Sequence, residues 1–338
     1  MQTLLLEKPG QFTLVDRPEP QTAGPGMALV RVVCAGVCGT DLHAYKGRQP
    51  FFEYPRVLGH ELGVEVLAVG DGVANVKQGD RCCIEPYLNC GKCIACRRGR
   101  FNCCTSLKVL GVHTDGGYCS RIVVPAVKLH RSAKLSFEQL ALVETLGIGA
   151  HAVSRAAIEQ GESVLVLGAG PIGLAVMQFV KAAGGRLIVA DISPQRLDFC
   201  RKQVGADHTV DARQDPLEPV RAITNSDLPT AVFDATGNPQ SMHDAFGYVA
   251  NSGRLVFVGL FQGDVTFRDP EFHRREMTLL ASRNATPGDF ARIISLVEAG
   301  TIDTTPWITH RSKLSDAAEQ FNTWADPSSG TIKAMITM

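Results

Sequence analysis

The sequence predicts an α/β protein: a β-rich domain of barrel or sandwich type, interrupted by an inserted, doubly wound parallel sheet. Three observations carry this reading. Short apolar, β-branched runs broken by Gly, Pro and Asp turns extend through Pro125. From Ser163 to Ala281 apolar strands alternate with helical stretches, the first of them separated by Gly168-Ala169-Gly170-Pro171-Ile172-Gly173. Residues after about 285 exceed what that sheet needs and are expected to return to the first domain. The expected division is 1–147 with 285–338 for the split domain and 148–284 for the insert; at 338 residues, two domains are the natural expectation.

Composition removes several function classes. Lys+Arg and Asp+Glu are equal at 34 each, so no basic excess points to nucleic acid. No apolar run reaches a membrane span. Met1–Pro9 lacks the basic flank and long apolar segment of a signal peptide, so a cytoplasmic protein is expected. Eleven cysteines in such a chain argue for metal binding or reactive thiols rather than a disulfide framework.

Taken in order, Met27–Cys34 reads as a strand after the turn-rich Pro18–Gly26. Next comes Val37-Cys38-Gly39-Thr40-Asp41-Leu42-His43, which places a thiol, a hydroxyl and an imidazole within six positions. Gly59-His60-Glu61 adds an imidazole and a carboxylate at the head of the strand region Val57–Val69. Thiolate, neutral imidazole and carboxylate are zinc ligands, and a catalytic zinc takes three plus one open position. The plainer alternatives are a buried apolar role for Cys38 and a solvated loop role for His43. Asp80–Ile84 and Arg121–Pro125 read as further strands.

Between those strands stands C-x2-C-x2-C-x7-C: Cys90, Cys93, Cys96 and Cys104, with Cys103 a rival for the last place. Four thiolates close a tetrahedral shell without room for water, which makes a structural zinc site. Ser136 is a candidate cap for a helix from Phe137, with Gln139 at the capping-box position. Glu144 follows among apolar residues; it is either an ordinary helical Glu or a buried carboxylate that needs a cation.

Ser163–Leu167, the glycine turn, the helix Leu174–Ala183 and the strand Arg186–Ala190 ending on Asp191 form the full context of a dinucleotide fingerprint. Gly168 makes the turn, Gly170 admits the pyrophosphate and Gly173 lets helix and strand pack. Asp191 suits the ribose hydroxyls and repels a 2′-phosphate, favouring NAD over NADP. Strands at His208–Val210, Thr230–Asp234, Arg254–Val258 and Met277–Ala281 bring the total to about six, with helices at Arg196–Val204, Gln240–Val249 and Phe290–Ala299. Arg196, Val258 and Gly259 join the candidate cofactor contacts.

These motifs, together with Asp115-Gly116-Gly117 and all in family order, resemble the medium-chain dehydrogenase/reductase superfamily, in its zinc-dependent alcohol, polyol and threonine dehydrogenase group. The resemblance covers essentially the whole chain. It implies a GroES-like β-barrel catalytic domain plus a Rossmann domain, with cofactor and substrate meeting in the cleft between them. It implies two zinc ions per chain and NAD. Cys38, His60 and Glu144 would hold the catalytic zinc, with Glu61 either ligating it in some states or standing just behind. Glu144 departs from the cysteine of the best-known alcohol dehydrogenases and leaves a harder metal site. Thr40 and then His43 would relay the substrate proton. The likeness also settles Cys104 over Cys103. Pro55–Glu61, Leu110–Gly117, Ala281–Asn284 and Trp307–His310 resemble bacterial sugar-acid dehydrogenases that oxidise L-galactonate or L-gulonate at C5. Candidate substrate contacts are Phe51, His113 and Arg283. Family likeness also implies a homodimer or homotetramer joined at nucleotide-domain sheet edges near Val265–Phe267 and Met277–Ala281.

Overall fold

A computed structural model describes every residue except Pro50 and Phe51; Phe51, a candidate substrate contact, thus lies outside the described residues. The chain divides into two compact units, Met1–Thr145 with Thr286–Met338, and Leu146–Ala285. The first division falls inside a helix, where no change of composition marks it.

The first unit opens with β1 (Gln2–Lys8), β2 (Gln11–Asp16), β3 (Met27–Val37), α1 (Gly39–Tyr45), β4 (Arg56–Val57), β5 (Glu61–Val69) and β6 (Arg81–Ile84). It continues through β7 (Tyr87–Leu88), α2 (Ile94–Arg97), β8 (Lys108–Val109), β9 (Arg121–Pro125), β10 (Leu129–Arg131) and α3 (Phe137–Ala156). The start of α3 is set by its cap: Gln139 N donates to Ser136 Oγ at 3.1 Å and Ser136 N donates to Gln139 Oε1 at 2.9 Å. The sequence pattern shows no helix at Gly39–Tyr45. That segment is too short for its apolar period to register, and tertiary packing of Ala44 and Tyr45 stabilises it instead.

The second unit holds β11 (Ser163–Leu167), α4 (Pro171–Ala182), β12 (Arg186–Asp191), α5 (Pro194–Phe199), β13 (His208–Asp211), α6 (Leu217–Ile223) and β14 (Ala231–Asp234). Then come α7 (Pro239–Asp244), β15 (Arg254–Phe257), α8 (Asp269–Arg274) and β16 (Thr278–Ala281). The six strands are all parallel, in the order β13-β12-β11-β14-β15-β16. Strand order therefore reverses next to β11, which places the ligand crevice at its carboxyl end. The helix read at Arg196–Val204 starts earlier, because Ser193 caps it, and its last turn Cys200–Val204 is π-type, ending on a left-handed Gly205.

The chain returns to the first unit as α9 (Pro287–Glu298), β17 (Ile308–Lys313), α10 (Leu314–Trp324) and β18 (Lys333–Thr337). β18 pairs antiparallel with β3 and parallel with β17, completing a seven-stranded sheet that runs β10-β6-β5-β3-β18-β17 with β9 also on β3. The β core of the first unit is thus finished by β18. Its interior is filled by alternate residues of β3, β5 and β18, among them Val30, Val32, Val64, Val66 and Ile336. α10 buries Leu314, Ala317, Phe321 and Trp324 at helical spacing. The Phe321 ring lies 4.4 Å from Phe12, 5.5 Å from Tyr45 and 5.2 Å from Trp324, so one side chain joins the first hairpin, α1 and α10. Among the described residues no helix is long and apolar enough to cross a membrane.

Phe321→Ala should lower the stability of the first unit by about 3–5 kcal/mol through the cavity it leaves. Both tryptophans, Trp307 and Trp324, belong to that unit, so urea unfolding followed by tryptophan fluorescence reads this loss directly.

Candidate catalytic centre and dinucleotide site

The first cluster forms where β3 ends and β5 begins. Val37 leaves the sheet and Cys38 caps α1, so the thiol stands at a chain reversal. Asp41, three residues on, is buried; its Oδ2 accepts from Cys38 N at 2.9 Å and from the Tyr118 hydroxyl at 3.1 Å. Its Oδ1 lies 3.7 Å from His60 Nδ1, and neither of these buried atoms has a hydrogen-bond partner. The Asp41 carboxylate so faces one ring nitrogen and leaves the other to act. Cys38, His60 and Glu61 bring one ligand atom each within 4.8 Å of one another.

Glu61 heads β5 with its carboxylate buried. Lys333 Nζ, also buried, lies 2.7 Å and 2.8 Å from its two oxygens and 3.2 Å from the Val37 carbonyl. A methyl group on Gly36 would come 2.1 Å from Glu61 Oε2, so the glycine makes room for the carboxylate. Glu144, on α3, is buried beside this group, and its Oε1 accepts from the Tyr87 hydroxyl at 2.5 Å.

The electrostatics show what the cluster lacks. Burial raises the pKa of Glu144, with Glu61 adding to the rise, while His60, Tyr87 and Lys333 oppose it. Burial raises Asp41 as well, against His60. Burial also opposes ionisation of Glu61, but Lys333 overrides it and the pKa falls. For His60, burial disfavours the charged form; Asp41, Cys38 and Glu144 outweigh it and raise the pKa well above the ordinary imidazole value. Three carboxylates and a thiol therefore crowd one imidazole and one ammonium, and the set calls for a further cation. Sulfur, imidazole nitrogen and carboxylate oxygen are donors that suit zinc, so the residues fit the metal.

A second cluster lies in the loop between β7 and β8. Cys90, Cys93, Cys96 and Cys104 hold their sulfur atoms within 4.8 Å of one another, and the exposed Cys103 stands outside the group. Backbone N–H groups of Cys96 and Thr105 pull the Cys93 thiol down to about 5, so it is a thiolate at neutral pH. Cys90 N donates to Cys104 Sγ at 3.2 Å, closing the lobe at its neck. Four converging sulfurs with no further donor fit a closed structural zinc site.

In the second unit, Gly168, Gly170, Asp191 and Arg196 line a cleft of about 920 Å³ with Thr236 and Arg213. α4 begins at Pro171, directly after the turn. A methyl group on Gly173 would come 1.9 Å from the Gly168 carbonyl, so this glycine serves helix–loop packing rather than the cleft. Asp191 is buried at the end of β12; its Oδ2 accepts from Ala169 N at 2.6 Å and its Oδ1 from Ser193 N at 2.8 Å. Val258 and Gly259 follow β15, both donating to the Asp234 carbonyl at 2.9 Å. Pro171 and Ile172 open α4 and, like Gly173, Val258 and Gly259, stand apart from the residues lining the cleft. An open glycine turn at a helix start, with an acid at the next strand end, fits a dinucleotide.

Thr40 and His43 sit three positions apart on α1 and so on neighbouring turns of one face, Thr40 half-buried and His43 exposed. Partial burial, then Arg48 and Lys46 nearby, lower the His43 pKa, so the ring is neutral at pH 7. His113 is exposed, its Nδ1 accepting from Val109 N at 3.1 Å. Arg283 is exposed just past β16. Sequence reasoning missed Asp41, Tyr87, Tyr118 and Lys333. Asp41 alone carried a signal, as the acid inside the Cys38–His43 run. The others reach the site only through the fold.

Lys333→Met should destabilise the first unit by about 3–5 kcal/mol, because it leaves Glu61 charged and buried without a partner. Glu61→Gln in the same chain should restore part of the loss in urea unfolding. The folded pKa of Glu61 lies below its ordinary value of 4.5. The pair therefore stabilises the fold at neutral pH, and the contribution disappears as pH falls through the folded value.

Comparison with known proteins agrees with this geometry. Residues 24–134 match the alcohol dehydrogenase GroES-like domain, and residues 171–299 match the zinc-binding dehydrogenase family. L-Galactonate-5-dehydrogenase of Escherichia coli (strain K12) is 40% identical over 337 residues, 100% of this chain and 99% of that protein. The crystal structure of a short chain alcohol dehydrogenase (rspB) from E. coli CFT073, complexed with NADH, superposes with a TM-score of 0.94 at 31% identity, covering 100% of this chain and 99% of that one. L-Idonate 5-dehydrogenase from E. coli K-12 gives a TM-score of 0.90 at 25% identity, over 100% and 98% of the two chains. The chain therefore belongs to the zinc-binding alcohol dehydrogenase family and is an oxidoreductase.

Proposed function

We propose that this protein oxidises a secondary alcohol of a sugar acid, L-galactonate or L-gulonate at C5, and passes the hydride to NAD. The full-length likeness to an L-galactonate-5-dehydrogenase carries the substrate class. The donor types support the reaction: Cys38, His60 and Glu61 converge within 4.8 Å, and the buried Glu144 carboxylate interacts with His60. In the overall reaction, the alcohol carbon loses a hydride to NAD and its hydroxyl loses a proton, leaving a ketone, NADH and H⁺.

Cys38, His60 and Glu144 would hold the catalytic zinc, and Glu61, kept ionised by Lys333, would either join them in some states or stand just behind. Bound there, zinc supplies a Lewis acid that polarises the substrate hydroxyl. Asp41 orients the His60 ring from the other side. Thr40 takes the proton from the substrate hydroxyl and His43, neutral at pH 7, passes it to solvent. The Gly168–Gly173 turn binds the cofactor pyrophosphate and Asp191 the adenosine ribose, with Arg196 beside it. The four-cysteine lobe would hold a structural zinc. A small-molecule substrate is the partner, and β16, the last strand of its sheet, is the edge through which a homodimer or homotetramer forms.

The test is NAD reduction with purified protein and a panel of aldonates, polyols, threonine and simple secondary alcohols. Turnover of L-galactonate or L-gulonate above all others is expected; preference for polyols or threonine with no aldonate oxidation would overturn the substrate class. In the pH profile, kcat/KM should fall as the medium becomes acidic enough to protonate His43, below the usual imidazole value. His43→Gln should remove that limb and lower kcat by about tenfold, less than the ~10²-fold or more of a direct catalytic base. An unchanged profile in the variant removes His43 from the relay.

A further inference from the structure

Tyr87 is the phenol that meets Glu144, as Tyr118 meets Asp41. It is buried with 2% exposure, and its hydroxyl reaches Glu144 Oε1 at 2.5 Å. A phenol hydroxyl beside a carboxylate oxygen donates to it. α3 fixes where the Glu144 backbone stands, but the carboxyl group at the end of a rotatable stem needs a partner to fix its plane.

The strand that carries Tyr87 is held on several sides. β7 and β8 pair as Tyr87↔Val109 and Leu88↔Lys108, and Leu110 N donates to the Pro86 carbonyl at 3.0 Å. These two short strands form the neck of the four-cysteine lobe: Cys90 follows β7 by two residues and Cys104 precedes β8 by four. The lobe thereby holds a two-residue strand pair that has little stability of its own. The Tyr87 ring meets the Phe290 ring edge-on at 6.4 Å, and His130 stacks on Phe290 at 4.9 Å. His130 Nε2 lies 3.2 Å from Glu85 Oε2, and the buried Glu85 also pairs with Lys128.

The geometry points to Tyr87 as a positioning residue for the catalytic metal: it ties up one oxygen of Glu144 and presents the other. This rests on the reading of Glu144 as a metal ligand. A carboxylate whose first oxygen is engaged offers a single oxygen in a set direction, and outer partners of this kind typically change metal affinity 10- to 100-fold. Tyr87 also links the two metal sites, because the loop that closes on four sulfurs carries the residue that orients the carboxylate.

The experiment compares wild-type protein, Tyr87→Phe and Glu144→Ala, each loaded with zinc. The readouts are metal content per chain, the rate of metal release to a chelator and the visible spectrum after cobalt(II) exchange at the catalytic site. Tyr87→Phe keeps the ring and its contact with Phe290 and loses only the hydroxyl. It should still bind two metals, release one of them about 10- to 100-fold faster and shift the cobalt ligand-field bands, while the lobe metal is unaffected. A purely structural role would not move the cobalt spectrum. Wild-type release and an unchanged spectrum in Tyr87→Phe overturn the inference. If Glu144→Ala retains both metals as tightly as wild type, the ligand reading itself fails; if it loses one metal while Tyr87→Phe behaves as wild type, only the role of Tyr87 fails. Should Tyr87→Phe not fold, a crystal structure of the zinc-loaded wild-type protein decides. A Tyr87–Glu144 hydrogen bond with the other Glu144 oxygen on the metal supports the inference, and a Tyr87 hydroxyl turned elsewhere overturns it.

Discussion

The buried ammonium of Lys333 is the contact on which the first unit's chemistry depends. It joins three strand ends: the Val37 carbonyl where β3 stops, the Glu61 carboxylate where β5 starts, and its own position at the head of β18. A buried carboxylate without this partner would take up a proton rather than stay charged. With it, Glu61 remains an anion next to His60 and adds to the negative field that the centre directs at a cation. The same contact explains why the end of the chain has to return to the first unit. β18 completes the sheet and also delivers the ammonium that pairs with Glu61.

Around this pair the centre is built by division of labour among groups of one kind. Four acidic groups share the pocket, yet each has a different partner. Glu61 is held by Lys333, Asp41 by Tyr118 and the Cys38 amide, and Glu144 by Tyr87, while Cys38 itself stands at the cap of α1. These partners fix each donor's orientation before a metal arrives, which is how a protein selects geometry rather than only affinity. The four-cysteine lobe follows the opposite principle. Its sulfurs are nearly contiguous in sequence and its fold is a loop, where a bound metal would substitute for a hydrophobic core.

The dinucleotide site obeys backbone constraints more than side-chain ones. Gly173 is needed because the loop carbonyl of Gly168 occupies the place of a side chain. Asp191 accepts from Ala169 N and so ties the end of β12 to the glycine turn, which keeps the turn's shape. Strand order reverses beside β11, and the turn stands where the two halves of the sheet diverge.

How much of this was legible in the chain follows from the range of each interaction. The dinucleotide turn and the four-cysteine lobe depend on residues a few positions apart, so spacing alone carries them. The Ser136 cap with Gln139 was legible for the same reason. Cys38, His60 and Glu144 were readable as donor types, but residue type does not say which oxygen or nitrogen faces the others. Only the tertiary structure brings Lys333 to Glu61 across 272 positions, Tyr118 to Asp41 across 77 and Tyr87 to Glu144 across 57. None of these has a local pattern, because a lysine in a terminal strand or a tyrosine before a cysteine loop looks like ordinary sequence. The amino-acid order thus determined the four-cysteine spacing and the glycine turn, whose geometry is local. The tertiary fold decided which groups stay charged and which way they point, because burial and counter-charge exist only once distant strands have met.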